Sequence, residues 1–138
     1  MKTINPYLTF NGNAEDAFNF YKSVFGGELM IMRFKDSPDS DKVKKEDGEK
    51  IMHISLPLNK LSVLMASDHT ESMGYKMKEG NNFSISISTE SREETDKLFK
   101  ALSDGAQVTM PLTDVFWGAY FGMLTDKFGI QWLLSFDK

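Results

Sequence analysis

The sequence contains no cysteine. This absence excludes disulfides, thiol nucleophiles and zinc sites of the cysteine type, and it fits a reducing compartment. Only two histidines are present, His53 and His69. Their spacing does not define a metal site.

The chain also lacks long apolar runs and an excess of positive charge, because its one basic cluster, at residues 42–45, is surrounded by acidic residues. No apolar run approaches the roughly 18 residues that a membrane-spanning helix requires. The first ten residues, MKTINPYLTF, contain no apolar segment of the signal-peptide type. The formal net charge is −4 at pH 7, whereas nucleic-acid binding requires clustered lysine and arginine. We therefore expect a cytoplasmic protein with neither a membrane nor a nucleic-acid partner.

Several catalytic and cofactor-binding motifs are missing as well. The sequence has no P-loop, no G-x-S-x-G and no H-E-x-x-H. No glycine-rich turn follows the first predicted strand, so the residues provide no loop of the kind that holds a nucleotide cofactor in the common dinucleotide-binding folds. We predict no cofactor.

The pattern that is present is a strand followed by a capped amphipathic helix. Residues 4–10 are rich in β-branched and aromatic side chains, which predicts a strand. Asn13 is a suitable N-cap, and apolar residues then recur with helical spacing as far as Phe25. Gly26 and Gly27 end the predicted helix, because glycine adopts the left-handed conformation at little cost.

A second copy of this pattern follows later in the chain. Residues 82–88 alternate with period two, and Ser91 and Glu94 form a capping box at the start of another amphipathic helix. The distance from cap to glycine is the same in both helices, from Asn13 to Gly27 and from Ser91 to Gly105. Further strands are predicted at 28–34, 50–56, 61–67, 107–112, 118–125 and 131–136. The sequence thus predicts one domain of two βαβββ modules, at about 1–68 and 82–138, joined by a connector at 69–81.

Four stretches carry a resemblance to a known superfamily. They are PYLTFNGNAEDAFNFYKSVFGG at 6–27, MHISL at 52–56, LMASD at 64–68 and FWGAYFGMLTDKFGIQW at 116–132. The chain resembles the vicinal-oxygen-chelate superfamily of glyoxalases and bleomycin resistance proteins, and within it the PhnB-like branch that often carries a 3-demethylubiquinone-9 3-methyltransferase label. The resemblance implies an α+β fold in which the two modules form a curved, mixed, eight-stranded cup with the helices outside, usually in a homodimer.

The resemblance also bears on metal binding. Metalloenzymes of the superfamily place a histidine or glutamate ligand on each of four strands. Carried onto this sequence, those points lie close to Pro6, Leu64 or Met65, Phe83 and Leu133, none of which is a metal ligand. The nearby polar residues are Asn5, Asn82 and Ser84, a weak set of donors. We predict no metal centre.

Aromatic and methionine side chains are the candidates for a ligand pocket, since such residues hold flat or apolar molecules by stacking and adaptable packing. Trp117 is the strongest candidate because it begins a predicted strand beside Gly118. The inward residues of the first strand are expected to be Pro6, Leu8 and Phe10. The full predicted pocket consists of Phe10, Leu64, Met65, Phe83, Trp117, Tyr120 and Leu133. Core packing is the alternative role for each of them.

His53 and Asp68 are the candidates for catalysis. His53 lies in a predicted strand, and a pair with Asp68 or Glu28 would make an acid–base or metal site. A structural role for His53 and a solvated loop position for His69 are the alternatives.

These observations lead to three hypotheses of function. The first is a PhnB-like protein that binds a small apolar or aromatic molecule in the cup without a metal ion. The second is an enzyme of the same superfamily with an unusual His/Asp or metal site, and the third is the methyltransferase of the family label. Whether the protein catalyses a reaction stays open at this point.

Overall fold

The structure is a computed structural model that describes residues 1–38 and 40–137. The chain divides into two compact units, Met1–Lys78 and Glu79–Lys138, which we call unit 1 and unit 2. Each unit contains one helix and one four-stranded mixed sheet. Within the described ranges, no helix combines the length and the hydropathy needed to cross a membrane.

Unit 1 has the order strand, helix and three strands. Its elements are β1 (Tyr7–Phe10), α1 (Ala14–Phe25), β2 (Met30–Arg33), β3 (Ile51–Pro57) and β4 (Val63–Asp68). The strand order in the sheet is β1-β4-β3-β2, with β1 parallel to β4 and the other neighbours antiparallel. The predicted loop after β2 contains three short 3-10 turns, Phe34–Asp36, Ser40–Lys42 and Lys45–Asp47.

Unit 2 repeats this order. Its elements are β5 (Ile85–Ser88), α2 (Arg92–Leu102), β6 (Gln107–Asp114), β7 (Ala119–Thr125) and β8 (Gln131–Asp137). The sheet order is β5-β8-β7-β6, and β5 is parallel to β8. The predicted α+β class with two βαβββ modules is therefore confirmed.

In unit 1 the core lies between the sheet and α1. Phe18 of α1 packs edge-to-face on Phe10 of β1, with ring centroids 6.4 Å apart. Alternate strand residues share this buried side, which we call the helix side; they are Leu8, Phe10, Ile54, Leu56, Leu64 and Ala66. Residues between them, such as Tyr7, His53 and Met65, lie on the opposite side, which we call the far face.

Unit 2 is built in the same way, and Gly122 brings its helix close to the sheet. Gly122 and Leu124 of β7 lie on the helix side together with Trp132 and Leu134 of β8. A Cβ atom on Gly122 would lie 2.8 Å from Cδ2 of Leu112 and 2.9 Å from Cε2 of Phe99 in α2. Only glycine permits this approach without displacing those side chains.

A buried carboxylate holds the start of α1. The predicted N-cap, Asn13, makes no side-chain capping bond. Instead, Asp68 Oδ1 at the end of β4 accepts hydrogen bonds from the backbone N–H groups of Gly12 (3.1 Å) and Ala14 (2.9 Å). Oδ2 accepts from the N–H of Ile51 at the start of β3 (2.9 Å). Asp68 therefore supplies the capping function that was expected of Asn13, and it joins three segments of unit 1.

The second helix begins at the predicted capping box. Ser91 Oγ accepts a hydrogen bond from the N–H of Glu94 at 3.0 Å, which confirms the predicted N-cap. The Glu94 carboxylate accepts a hydrogen bond from the N–H of Glu90 at 2.9 Å. A standard capping box would use the N–H of the N-cap residue, Ser91, instead.

Asp126 is the buried carboxylate of unit 2. Its Oδ1 accepts from the backbone N–H groups of Phe128 (2.8 Å) and Ile130 (3.0 Å), and its Oδ2 accepts from Nε1 of Trp132 (2.8 Å). Asp126 therefore holds the turn between β7 and β8. The carboxylate also holds Trp132, the largest of the fully buried side chains.

We expect Asp68→Asn to lower the free energy of unfolding by about 2–4 kcal/mol, because an amide removes the charge and turns an N–H donor toward a backbone donor. Urea unfolding followed by circular dichroism measures the change. Asp104→Asn is the matched control: the Asp104 side chain is 77% exposed and lies 3.7 Å from Lys127 Nζ, so its effect should stay within about 0.5 kcal/mol. Equal effects of the two substitutions would contradict the role of Asp68.

Gly122→Ala tests the close approach of α2 to its sheet. The added methyl group would meet Leu112 and Phe99, so we expect a loss of about 1–3 kcal/mol from overpacking, measured by thermal unfolding. Gly80→Ala is the control, because the nearest atom to its added Cβ is Asn82 Oδ1 at 3.8 Å. An unchanged melting temperature for Gly122→Ala would show that the helix can shift freely.

Candidate functional site

The two candidate catalytic residues lie on opposite sides of the unit 1 sheet. His53 precedes Ile54, which is buried on the helix side and pairs with Ala66 of β4. His53 therefore lies on the far face, whereas Asp68 shares the helix side with Ala66 and is 1% exposed. The expected pair of His53 with Asp68 is wrong, because Asp68 is engaged by three backbone N–H groups.

The partner of His53 is Tyr7. The Tyr7 hydroxyl lies 2.9 Å from Nδ1 of His53, within hydrogen-bond distance. The two rings have centroids 5.5 Å apart and planes inclined by 35°. Tyr7 is on β1 and His53 is on β3, so the pair reaches across β4 on the far face.

Sequence reasoning missed Tyr7 because it assigned the first strand to the wrong side. The inward residues were expected to be Pro6, Leu8 and Phe10, but Leu8 and Phe10 are buried under α1, at 5% and 3% exposure. The signal was present in the alternation of β1, where Leu8 and Phe10 are wholly apolar and the residues beside them, Tyr7 and Thr9, carry hydroxyl groups.

Methionines surround the Tyr7–His53 pair. The strand register places Tyr7 opposite Met65, Met65 opposite Ser55, and Ser55 opposite Met30, in one row across the far face. Met32 pairs with His53 in the next row. Met30 is 46% and Met32 is 41% exposed, so this surface is apolar and accessible.

Two of the predicted pocket residues in unit 1 belong to the core. Phe10 is in contact with Phe18 of α1, and Leu64 is fully buried on the helix side. Met65, the alternative position named with Leu64, lies on the far face opposite Tyr7. The structure thus assigns Phe10 and Leu64 to packing, and a pocket role for Met65 stays a prediction.

Tyr120 is the buried member of a polar network in unit 2. Its hydroxyl donates to Oδ1 of Asp96 in α2 at 2.5 Å, and the Arg92 guanidinium lies 3.9 Å from the centre of its ring. Arg92 also forms two hydrogen bonds with Asp114, at 2.9 and 3.0 Å. The bond to Asp96, together with burial, raises the pKa of the Tyr120 phenol. Tyr120 therefore lies on the helix side rather than on the far face.

Trp117 begins an exposed aromatic cluster in unit 2. It is 58% exposed, and its ring meets those of Phe116 and Phe121 edge-on, at centroid distances of 5.1 and 5.8 Å. Phe121 lies on the far face of the unit 2 sheet, as do Met123 and Leu133, which pair with each other. We call Phe116, Trp117, Phe121, Met123 and Leu133 the aromatic face.

Phe83, the last predicted pocket residue, lies just before β5. Its side chain is 60% exposed. Its backbone carbonyl accepts a hydrogen bond from the side-chain amide of Gln131 on β8. The pocket roles of Phe83, Trp117 and Leu133 stay predictions.

The residues present do not fit the metal centre that the superfamily implies. The four ligand points hold Pro6, Leu64 or Met65, Phe83 and Leu133, none of which offers an oxygen or imidazole side-chain donor. In the ranges 1–38 and 40–137, no three or more His, Cys, Asp or Glu side chains are grouped so that they could hold a metal ion. Asn5, a nearby polar candidate, already accepts a hydrogen bond from the N–H of Val63 at 3.1 Å.

Comparison with known proteins places this fold in a family. A family model described as 3-demethylubiquinone-9 3-methyltransferase matches residues 2–135. Protein PA1353 from Pseudomonas aeruginosa is 40% identical, with a TM-score of 0.85 over 98% of this chain and 97% of its own. A putative 3-demethylubiquinone-9 3-methyltransferase, PhnB protein, from Bacillus cereus is 28% identical, with a TM-score of 0.74 over 96% of this chain and 98% of its own.

A more distant structure shares the fold alone. It is a glyoxalase/bleomycin resistance protein/dioxygenase family enzyme from Burkholderia phytofirmans PsJN, 17% identical, with a TM-score of 0.63 over 99% of this chain and 98% of its own. The family match covers nearly the whole length of the sequence. The chain therefore belongs to the 3-demethylubiquinone-9 3-methyltransferase family, the PhnB-like proteins, and has the glyoxalase/bleomycin resistance fold.

Proposed function

We propose that this PhnB-like protein binds a small molecule with an aromatic or apolar body, and that the aromatic face of unit 2 contacts it. The observation that supports this proposal is the exposure of Trp117 and Phe116, at 58% and 96%, in a chain whose other tryptophan, Trp132, is 1% exposed. A homodimer and a cytoplasmic location stay predictions from the sequence.

The geometry of the cluster suits a flat ligand. The Trp117 ring packs edge-on against the ring of Phe121, with the two ring centroids 5.8 Å apart. A ring held in place by its neighbours loses little conformational freedom when a ligand stacks on it. Met123, beside Phe121 on the same strand face, supplies a flexible and polarizable wall that adapts to the ligand shape.

The proposal does not include methyl transfer. The name of the family describes that activity, but the turn between β1 and α1 is short, and the N–H groups of Gly12 and Ala14 are occupied by Asp68. Those backbone donors are therefore not free to hold a nucleotide cofactor. The enzyme hypothesis that relied on His53 and Asp68 loses its basis, because their side chains lie on opposite sides of the sheet.

A panel of substituted phenols, benzoates and naphthalenes tests the proposal by thermal shift and by tryptophan fluorescence. We expect at least one compound to stabilise the protein and to quench Trp117, while the emission of buried Trp132 stays unchanged. Trp117→Ala should weaken binding by about 30-fold, equivalent to about 2 kcal/mol, since a stacked tryptophan ring is a typical binding hot spot. Trp117→Phe should keep part of the affinity.

The matched control is Tyr75→Ala, which removes another exposed aromatic ring, 53% exposed, from unit 1. Its binding should equal that of the unaltered protein. A panel without a single stabilising compound would contradict the proposal. So would a Trp117→Ala variant that changes only the oligomeric state in sedimentation, because the aromatic face would then be a contact between copies of the chain.

Removal of metal should leave ligand binding unchanged. We expect protein purified without chelator to contain far less than one divalent ion per chain, since the ligand points carry no donors that such ions prefer. Elemental analysis before and after treatment with EDTA, with a repeat of the thermal-shift assay, measures both quantities. One tightly bound ion per chain that disappears in His53→Ala would overturn the metal-free part of the proposal.

A further inference from the structure

We propose that the Tyr7–His53 pair on the far face of unit 1 is a second binding site, which recognises a carbonyl or carboxylate oxygen through the N–H group at Nε2 of His53. The proposal does not depend on the aromatic face of unit 2. It is based on three features of the pair: the hydrogen bond between Tyr7 and His53, the histidine nitrogen that this bond does not use, and the side chains around the two residues.

The hydrogen bond links the direction of the Tyr7 proton to the tautomer of His53. Tyr7 Oη is 2.9 Å from His53 Nδ1, and a neutral imidazole has one nitrogen that donates and one that accepts. Among the residues that the structure describes, the Tyr7 hydroxyl has no other hydrogen-bond partner. Donation of its proton to Nδ1 uses both groups, whereas the reverse arrangement would leave the phenol proton without a protein acceptor. A neutral imidazole that accepts the Tyr7 proton at Nδ1 carries its own N–H at Nε2, and this is the tautomer that the proposal requires.

Nε2 is the ring nitrogen of His53 that the bond to Tyr7 leaves available. Within residues 1–38 and 40–137, His53 makes its hydrogen bond with Tyr7 alone. No buried side-chain nitrogen or oxygen in the same part of the chain lacks a hydrogen-bond partner. Nε2 is therefore not fully buried, and an N–H at this nitrogen could donate to an incoming acceptor.

The surroundings select the chemical class of the ligand. Met32 pairs with His53, Met65 lies opposite Tyr7, and Met30 lies in the same row across the sheet. The far-face positions of β1, β3 and β4 hold no charged side chain; they are Tyr7, Thr9, His53, Ser55, Pro57, Val63, Met65 and Ser67. One N–H donor beside polarizable methionines favours an acceptor oxygen on a compact apolar body, and the absence of a carboxylate from these positions disfavours a cation.

Nitrogen-15 NMR of the histidine side chains tests the proton arrangement directly. At about pH 8.5, where free imidazole is neutral, we expect His53 to show the tautomer with hydrogen on Nε2. Titration with benzoate should shift the Nε2–H resonance in a saturable manner, and benzylamine, which has the same ring but no acceptor oxygen, should not shift it. His69 serves as the internal reference, because its Nε2 bonds to the carbonyl of Tyr75 at 2.6 Å.

Three variants separate recognition from a merely structural role. In the His53→Gln variant, the amide N–H₂ group of glutamine would lie near the position of the histidine Nε2. Benzoate affinity should therefore fall by no more than about 3-fold. His53→Asn places its amide near Nδ1 and should lose about 10-fold or more, as expected for a lost hydrogen bond to a charged acceptor. Tyr7→Phe should weaken binding by about 3- to 10-fold, with the imidazole then populating both tautomers.

The Nδ1–H tautomer in the unaltered protein would overturn the proposal, and this measurement needs no variant to fold. So would a benzoate titration without a shift at His53, or equal losses in His53→Gln and His53→Asn. Benzoate that quenches Trp117 but leaves His53 unchanged would assign the carboxylate to the aromatic face instead. Failure of benzoate at His53 would leave the proposed function intact, because the aromatic face is tested separately by the full panel of phenols, benzoates and naphthalenes.

Discussion

The carboxylate of Asp68 is the interaction on which the arrangement of unit 1 depends. A buried carboxylate is costly unless hydrogen bonds replace its hydration, and Asp68 is 1% exposed with backbone N–H groups of Gly12, Ala14 and Ile51 around it. Those donors belong to the start of α1 and the start of β3, so the carboxylate must lie on the helix side. Because side chains alternate along a strand, this requirement also places Met65 on the far face. The parallel register with β4 then brings Tyr7 to the same face.

The two units use the same scaffold to present different chemistry. In unit 1 the far face carries one polar pair, Tyr7 and His53, among methionines. In unit 2 it carries the aromatic face, and Asp126 fixes the core through Trp132 rather than through a helix start. The buried contacts of each unit lie on the helix side, whereas the far faces carry more exposed side chains. Membership of the family therefore defines the scaffold far better than it defines the ligand.

The sequence predicted the elements well because their signals are local. Helical spacing of apolar residues, the Ser91 cap and the repeated strand–helix order each depend on residues close together in the chain. It was harder to predict which side chains of a strand face the helix. In β1, both alternating sets of residues include a large side chain with an apolar surface. Phe10 and Tyr120 were thus expected in a pocket and lie on the helix side. The cap of α1 was also missed, since Asp68 is far from Gly12 in the chain and only the folded sheet brings them together.

The same distinction explains why the functional hypotheses changed as they did. His53 could be identified from its residue type alone, but its partner could be identified only from the register, because Tyr7 reaches it across an intervening strand. A pair of this kind has no sequence spacing that a motif could express. The exposed Trp117, in contrast, follows from a short turn, in which the N–H of Gly118 bonds to the carbonyl of Val115. Local signals therefore located the aromatic face, whereas the Tyr7–His53 pair depends on long-range strand pairing.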